Sequence, residues 1–133
     1  MFSLANKAAV VTGGGSGIGK AIAQLFAQQG AVVHILERDA AAAQEAVAAI
    51  EAAGGTANAY AADVGQQAEV VTALQQIGQL DILVNNAGIA HVGNVESTLE
   101  ADSERVYRIN VAGAYNCLFA AIPLLKAGGA GRL

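Results

Sequence analysis

The stretch from Ala8 to Lys20, Ala-Ala-Val-Val-Thr-Gly-Gly-Gly-Ser-Gly-Ile-Gly-Lys, constrains the fold of this chain more than any other. A short apolar run, Ala8 to Val11, breaks into a turn, 13–19, that holds five glycines among seven residues. A helical pattern starts at once, with Ile18, Ile22, Leu25 and Phe26 at offsets 0, 4, 7 and 8, the spacing of one apolar helix face. Strand, glycine turn and helix in that order form a cradle for an anion. Glycine allows positive φ and lets a ligand approach where a Cβ would collide. The helix N-terminus then offers unpaired N–H groups and the positive end of its dipole.

Two phosphate-binding patterns compete for the turn. Gly14-x-x-x-x-Gly19-Lys20 follows a P-loop as far as the lysine, but Ala21 stands where a Ser or Thr hydroxyl must hold Mg²⁺. The strict dinucleotide pattern G-x-G-x-x-G also breaks, because Gly13 and Gly15 fit and Ile18 takes the third glycine's place. The spacing that does hold is Thr12-Gly13-x-x-x-Gly17-x-Gly19, one step longer. A plain strand-to-helix turn would account for the glycines alone.

Three further features argue for a dinucleotide. Glu37 closes the apolar run Ala31–Leu36 and lies 18 residues beyond Gly19, close to the separation of about 20 at which an acidic residue meets the adenosine ribose. Such a carboxylate accepts from the ribose hydroxyls and repels a 2′-phosphate, favouring NAD over NADP; Arg38, beside it, has the opposite tendency. Ala62-Asp63-Val64 ends a third strand-like run. Asp81-Ile-Leu-Val-Asn-Asn-Ala-Gly88 ends a fourth in two amides, and buried amides need hydrogen-bond partners or a ligand edge. In open α/β sheets ligands bind beyond those carboxyl ends.

Together, Thr12-Gly13-x-x-x-Gly17-Ile18-Gly19, Asp63-Val64, Asn85-Asn86-Ala87-Gly88 and Asn110 resemble the short-chain dehydrogenase/reductase family, in the family's order and over nearly the whole chain. The resemblance implies a nicotinamide cofactor and hydride transfer between a carbonyl and an alcohol on a small-molecule substrate. It places Gly13, Ser16, Gly17, Ile18 and Gly19 along the pyrophosphate and adenosine ribose, Glu37 on that ribose, and Asp63 with Val64 beside the adenine. Asn86, Ala87 and Gly88 would run along the nicotinamide, while Asn85 would stabilise the central sheet. Asn110 matches the family's catalytic asparagine, which helps to position a water in a proton relay. Independently, Val106, Asn110, Ala114 and Leu118 recur every four residues on one helix face, where an unpaired amide would cost about 1–3 kcal/mol. An asparagine bonded to a neighbouring carbonyl would meet the same demand.

The family's chemistry also needs a Ser and a Tyr-x-x-x-Lys pair, whose lysine lowers the pKa of the tyrosine acid/base. Val64, Val111 and Phe119 stand four residues after Tyr60, Tyr107 and Tyr115, and the lysines are Lys7, Lys20 and Lys126. The tail Gly128-Gly-Ala-Gly-Arg-Leu133 resembles the lead into the family's fifth strand. The expectation is therefore the N-terminal portion of a longer, NAD-dependent enzyme, inactive as a polypeptide of these residues alone. A second expectation is a catalytically inactive NAD-binding sensor or partner subunit. A polypeptide ending at Leu133 is expected to be poorly soluble or partly unfolded, with an uncovered hydrophobic edge.

Strands at 7–12, 31–36, 57–62 and 81–85 alternate with helices at 17–29, 40–53, 66–77 and 98–125. That alternation predicts right-handed crossovers and a Rossmann-type, doubly wound parallel sheet with helices on both faces, one domain over 1–133, apparently truncated after the fourth strand and the long helix. Hydrophobic residues at 54% and charged ones at 14% suit such a buried sheet. A net charge of −4 argues against nucleic acid and anionic membranes. No run approaches 18 apolar residues, so a membrane span is not expected. One cysteine, Cys117, suits a reducing, cytoplasmic setting and reads as a core residue. His34 and His91 lack a second ligand at metal spacing, so no metal is expected; His91 could reach the substrate mouth. The resemblance implies a homo-oligomer assembled through the 98–125 helix and the one after it.

Overall fold

The computed structural model describes residues 3–89, 93–129 and 132. Its strands are β1 (Ala8–Thr12), β2 (Val32–Glu37), β3 (Thr56–Ala61) and β4 (Ile82–Val84). Its helices are α1 (Gly17–Gln28), α2 (Ala40–Ala52), α3 (Gln67–Ile77), α4 (Glu100–Tyr107) and α5 (Gly113–Gly128), the last two joined by a π-helical segment, Arg108–Ala112.

All pairings are parallel and the sheet order is β3-β2-β1-β4. Central β1 aligns Val10 with His34 of β2 and Leu83 of β4. Every residue of β1 is buried, as a strand covered on both faces must be. Alternate side chains feed two cores. Val11, Val33 and Ile35 meet Ala23 of α1 and Ala46 and Ile50 of α2. On the other face Val10, Leu36 and Leu83 meet Val70 and Leu74 of α3 and Cys117 and Ala121 of α5. The doubly wound sheet expected from the alternation is present. Because β2 and β4 lie on opposite sides of β1, the chain reverses its winding there, opening a crevice at the carboxyl ends.

Several details differ from the sequence-based expectation. The buried stripe of α1 is Gly19, Ala23 and Ala27, whereas Ile18 is 74% and Leu25 47% exposed. Small residues let the helix lie close on the sheet, and the bulky ones flank the contact. β4 is shorter than 81–85: Asp81 turns its carboxylate to accept from the Ala8 N–H at 2.9 Å, and Asn85 is exposed beyond the strand's end. The last helix starts at Glu100, passes Pro123 and ends at Gly128, with Gly129 in the left-handed region (φ 79°), a common helix stop.

That helix, 29 residues from Glu100 to Gly128, is long and apolar enough to cross a membrane, although no unbroken run of 18 apolar residues lies within it. Here it packs on the sheet, with Ile109, Cys117, Ala121 and Leu125 in the core. Arg132 lies against the free side of β4 in parallel sense: its N–H donates to the Asp81 carbonyl (2.8 Å) and its carbonyl accepts from the Leu83 N–H (2.9 Å).

Candidate functional site

A cleft of about 310 Å³ opens at the carboxyl ends of the strands. Gly13 and Ser16 border it from the glycine turn, Glu37 to Asp39 follow β2, Ala62 to Val64 follow β3, and Asn86 to Ile89 follow β4. Of the residues singled out in the sequence, Gly13, Ser16, Glu37, Asp63, Val64, Asn86, Ala87 and Gly88 line this one space. Gly17, Ile18, Gly19 and Asn110 are not among its walls.

The turn is held from below by Thr12. Its buried hydroxyl oxygen accepts from the Asn86 N–H (2.9 Å) and the Ala87 N–H (3.0 Å) and donates to the Val84 carbonyl (3.3 Å). Gly13 has φ +66°, and a Cβ there would stand 3.0 Å from the Ala87 Cα. At Gly19 a Cβ would collide with the Gly13 carbonyl oxygen and Asn86 Nδ2, two atoms that bond to each other at 3.3 Å. The third glycine of the longer spacing is thus required by packing of the helix start on the turn. The amide that braces the glycine turn is Asn86, and Asn85, which the resemblance set to stabilise the central sheet, is exposed.

Gly17 behaves differently. Its φ is +56° and a Cβ would meet nothing within 4 Å, so the turn leaves open space in front of the first turn of α1. Ser16 caps that helix in an extended conformation, makes no side-chain cap bond, and no acidic residue occupies the first turn. Backbone donors and a free hydroxyl therefore face the open space, which suits an anion.

On the β2 side the Glu37 carboxylate accepts from the Gly15 N–H and the Asp39 N–H, each at 3.2 Å. Asp63 accepts from the Gly65 N–H at 2.9 Å through Oδ1 and pairs through Oδ2 with Arg108 Nη1 at 3.3 Å. Val64 is buried, and its carbonyl accepts from Asn116 Nδ2 at 2.8 Å.

The π segment closes the other side. Asn110 Nδ2 donates to the Ile89 carbonyl and its Oδ1 accepts from the Ile89 N–H, both at 2.8 Å. The expected face Val106, Asn110, Ala114 and Leu118 is not the buried one, since Asn110 is exposed and the buried residues are Ile109, Gly113, Asn116, Cys117, Ala121 and Leu125. A π turn adds one residue to the helical repeat and shifts the register between α4 and α5. The desolvation argument therefore belongs to Asn116, which the sequence reading missed. An amide amid Cys117, Leu118 and Phe119 carried the same signal as Asn110.

His34 is buried against Tyr60, their rings 5.7 Å apart, and burial lowers its pKa. Burial pushes the Cys117 thiol up to about 12, so it is a core residue and no nucleophile. Among the described residues no three His, Cys, Asp or Glu side chains come together as a metal site. His91 lies outside the described residues.

A parallel sheet whose switch point opens onto a glycine turn and an uncapped helix N-terminus defines a Rossmann-type nucleotide-binding domain. Residues 7–133 match the short chain dehydrogenase family, and the chain belongs to it. It is 39% identical over 127 residues to an oxidoreductase of Thermotoga maritima, covering 94% of this chain and 51% of that one. It is 39% identical over 129 residues to the 3-oxoacyl-(acyl-carrier-protein) reductase of rhamnolipid biosynthesis in Pseudomonas aeruginosa, covering 94% and 50%. The crystal structure of a 3-ketoacyl-(acyl-carrier-protein) reductase from Brucella melitensis complexed with NADH superposes with a TM-score of 0.86 at 41% identity, covering 96% of this chain and 53% of that one. The chain spans about half the length of the relatives it matches.

Proposed function

We propose that this chain forms the cofactor-binding portion of an NAD-dependent short-chain oxidoreductase that interconverts an alcohol and a carbonyl compound. One observation carries the reading: Gly17 leaves its cradle open while Gly13 and Gly19 are packed shut. Ser16 with the backbone of Gly17, Ile18 and Gly19 would hold the pyrophosphate, Glu37 the adenosine ribose, and Asp63 with Val64 the adenine. Asn86, Ala87 and Gly88 would border the nicotinamide. The nicotinamide supplies a hydride donor and acceptor when bound. Asn110, clasped to Ile89, fixes the segment after Gly88 and would help to hold a water for proton transfer. The Ile18 side chain is 74% exposed at the start of α1.

Lacking a Tyr-x-x-x-Lys pair, a polypeptide of these 133 residues is proposed to bind dinucleotide without turnover, as a sensor or partner subunit would. In the longer enzyme the acid/base tyrosine and its lysine come from beyond Leu133, and homo-oligomers form in the cytoplasm. Reading the gene past codon 133 separates the two; a stop codon there removes the enzyme reading for this chain.

Fluorescence titration tests the cofactor. Glu37 should make NADH bind about tenfold or more tightly than NADPH, since a 2′-phosphate would meet a like charge. Glu37→Ala should narrow that gap. Tighter binding of NADPH by the wild type overturns the NAD assignment, and binding of neither overturns the whole reading.

A further inference from the structure

The π segment reaches both ends of the cleft within three residues. Asn110 clasps Ile89 on one side, Ile109 lines the wall between, and Arg108 extends to Asp63 on the other. Arg108 lies so close over Gly65 that a Cβ there would stand 2.5 Å from Nη1 and 3.2 Å from Cγ. A side chain at Gly65 would displace the end of that arginine. Asp63 is held from all sides: its N–H donates to Glu69 Oε1 (3.2 Å), Oδ1 accepts from the Gly65 N–H (2.9 Å), and Oδ2 takes Arg108 (3.3 Å).

We propose that Arg108 is a positioning residue for the adenine end of the cofactor, acting through the Asp63 carboxylate. The inference rests on the dinucleotide reading above. The ion pair's arginine side chain is 40% exposed, and exposed pairs add little to stability. What it supplies is orientation. With Gly65 alone the carboxylate could rotate about its last bond, and Arg108 removes that freedom. The aspartate oxygens are then set to accept from a donor such as the exocyclic amine of adenine. The pair has a second effect. Glu37, Asp39 and Asp63 border the cleft together with Arg38, and Arg108 offsets the charge of one of the three carboxylates.

The two effects separate on a matched pair of ligands, reduced NAD and its hypoxanthine analogue, which carries an oxygen in place of the 6-amino group. Titrations would use the protein expressed from its complete gene. The wild type should prefer the adenine form by about tenfold, the scale of one well-placed hydrogen bond to a charged group. Arg108→Met should weaken both ligands and lower the preference to about twofold or less. Arg108→Lys should restore part of it. Should Arg108→Met melt early, Arg108→Leu reports the same ratio with a side chain that likewise cannot donate. Equal weakening of both ligands with the preference intact assigns Arg108 a merely structural or charge role and overturns the proposal. A wild type that binds both but shows no preference overturns it too, leaving the dinucleotide reading standing. Failure of the wild type to bind either takes down that reading and this one together.

Discussion

At the scale of single residues, the cleft depends on groups whose partners lie far along the chain. Thr12 is the clearest case, for its one hydroxyl serves the N–H groups of Asn86 and Ala87 and the carbonyl of Val84, more than seventy residues away. Thr12→Val keeps the shape and leaves those groups without that partner at a position only 1% exposed. An orphaned buried donor costs about 1–3 kcal/mol, so the variant should lose about 3 kcal/mol in a denaturant titration. NADH binding should weaken with it, because Asn86 to Gly88 lose their anchor. Thr12→Ser should keep most of both. A valine variant within about 0.5 kcal/mol of the wild type, the range of ordinary surface changes, would refute this role. The sequence showed Thr12 as the first member of a motif and nothing of its task, since a hydroxyl's partner across a sheet has no trace in local spacing. Glycines were more legible. The spacing marked three of them, but which are packed depends on their surroundings: Gly13 and Gly19 are closed in and Gly17 is open.

At the scale of elements, the alternation of apolar runs and helical patterns sufficed for the succession of strands and helices and the parallel sense of the sheet, because a strand buried on both faces must be apolar throughout. Two things escaped it. The contact face of α1 is made of Gly19, Ala23 and Ala27, too small to register as hydrophobic periodicity. The π segment at 108–112 breaks the four-residue spacing from which the Asn110 face was read, as side-chain character does not record a change in backbone hydrogen-bond period. The segment also makes a prediction. Val111 is 51% exposed, so deleting it removes no core side chain while returning the helix to α register. One residue is about 100° of helix, enough to swing Asn110 off Ile89 and Arg108 off Asp63. Hydrogen exchange at the Ile89 amide should then quicken by about tenfold or more, the expected effect of losing a clasp of roughly 1.4 kcal/mol. In the longer enzyme proposed above, turnover should fall about a hundredfold, with helix content by circular dichroism nearly unchanged. Unaltered protection of Ile89 would show that the π turn is not what aims Asn110.

At the scale of the whole molecule, burial is uneven. The sheet interior is closed on both faces, with Ala9, Val10, Val11, Val33 and Ile35 fully buried. The long helix buries one side and leaves Tyr107, Val111, Tyr115 and Phe119 at 63, 51, 62 and 47% exposure. Their exposure, not a regular spacing across the π segment, marks this stripe, and within α5 Tyr115 and Phe119 are in ring contact at 6.4 Å. A stripe of that kind on a polypeptide of these 133 residues should drive self-association. Sedimentation velocity from micromolar to hundreds of micromolar should show the average mass rising with concentration. Tyr115→Glu combined with Phe119→Glu should restore a single monomeric species, since like charges placed on the stripe repel across any contact between copies. NADH affinity should change less than twofold or so, because neither side chain borders the cleft and surface changes away from a site leave it within about 0.5 kcal/mol. A sharp cooperative melt from a monodisperse wild-type monomer would refute the prediction, showing that the parallel sheet and its two cores are self-sufficient with the stripe left in water.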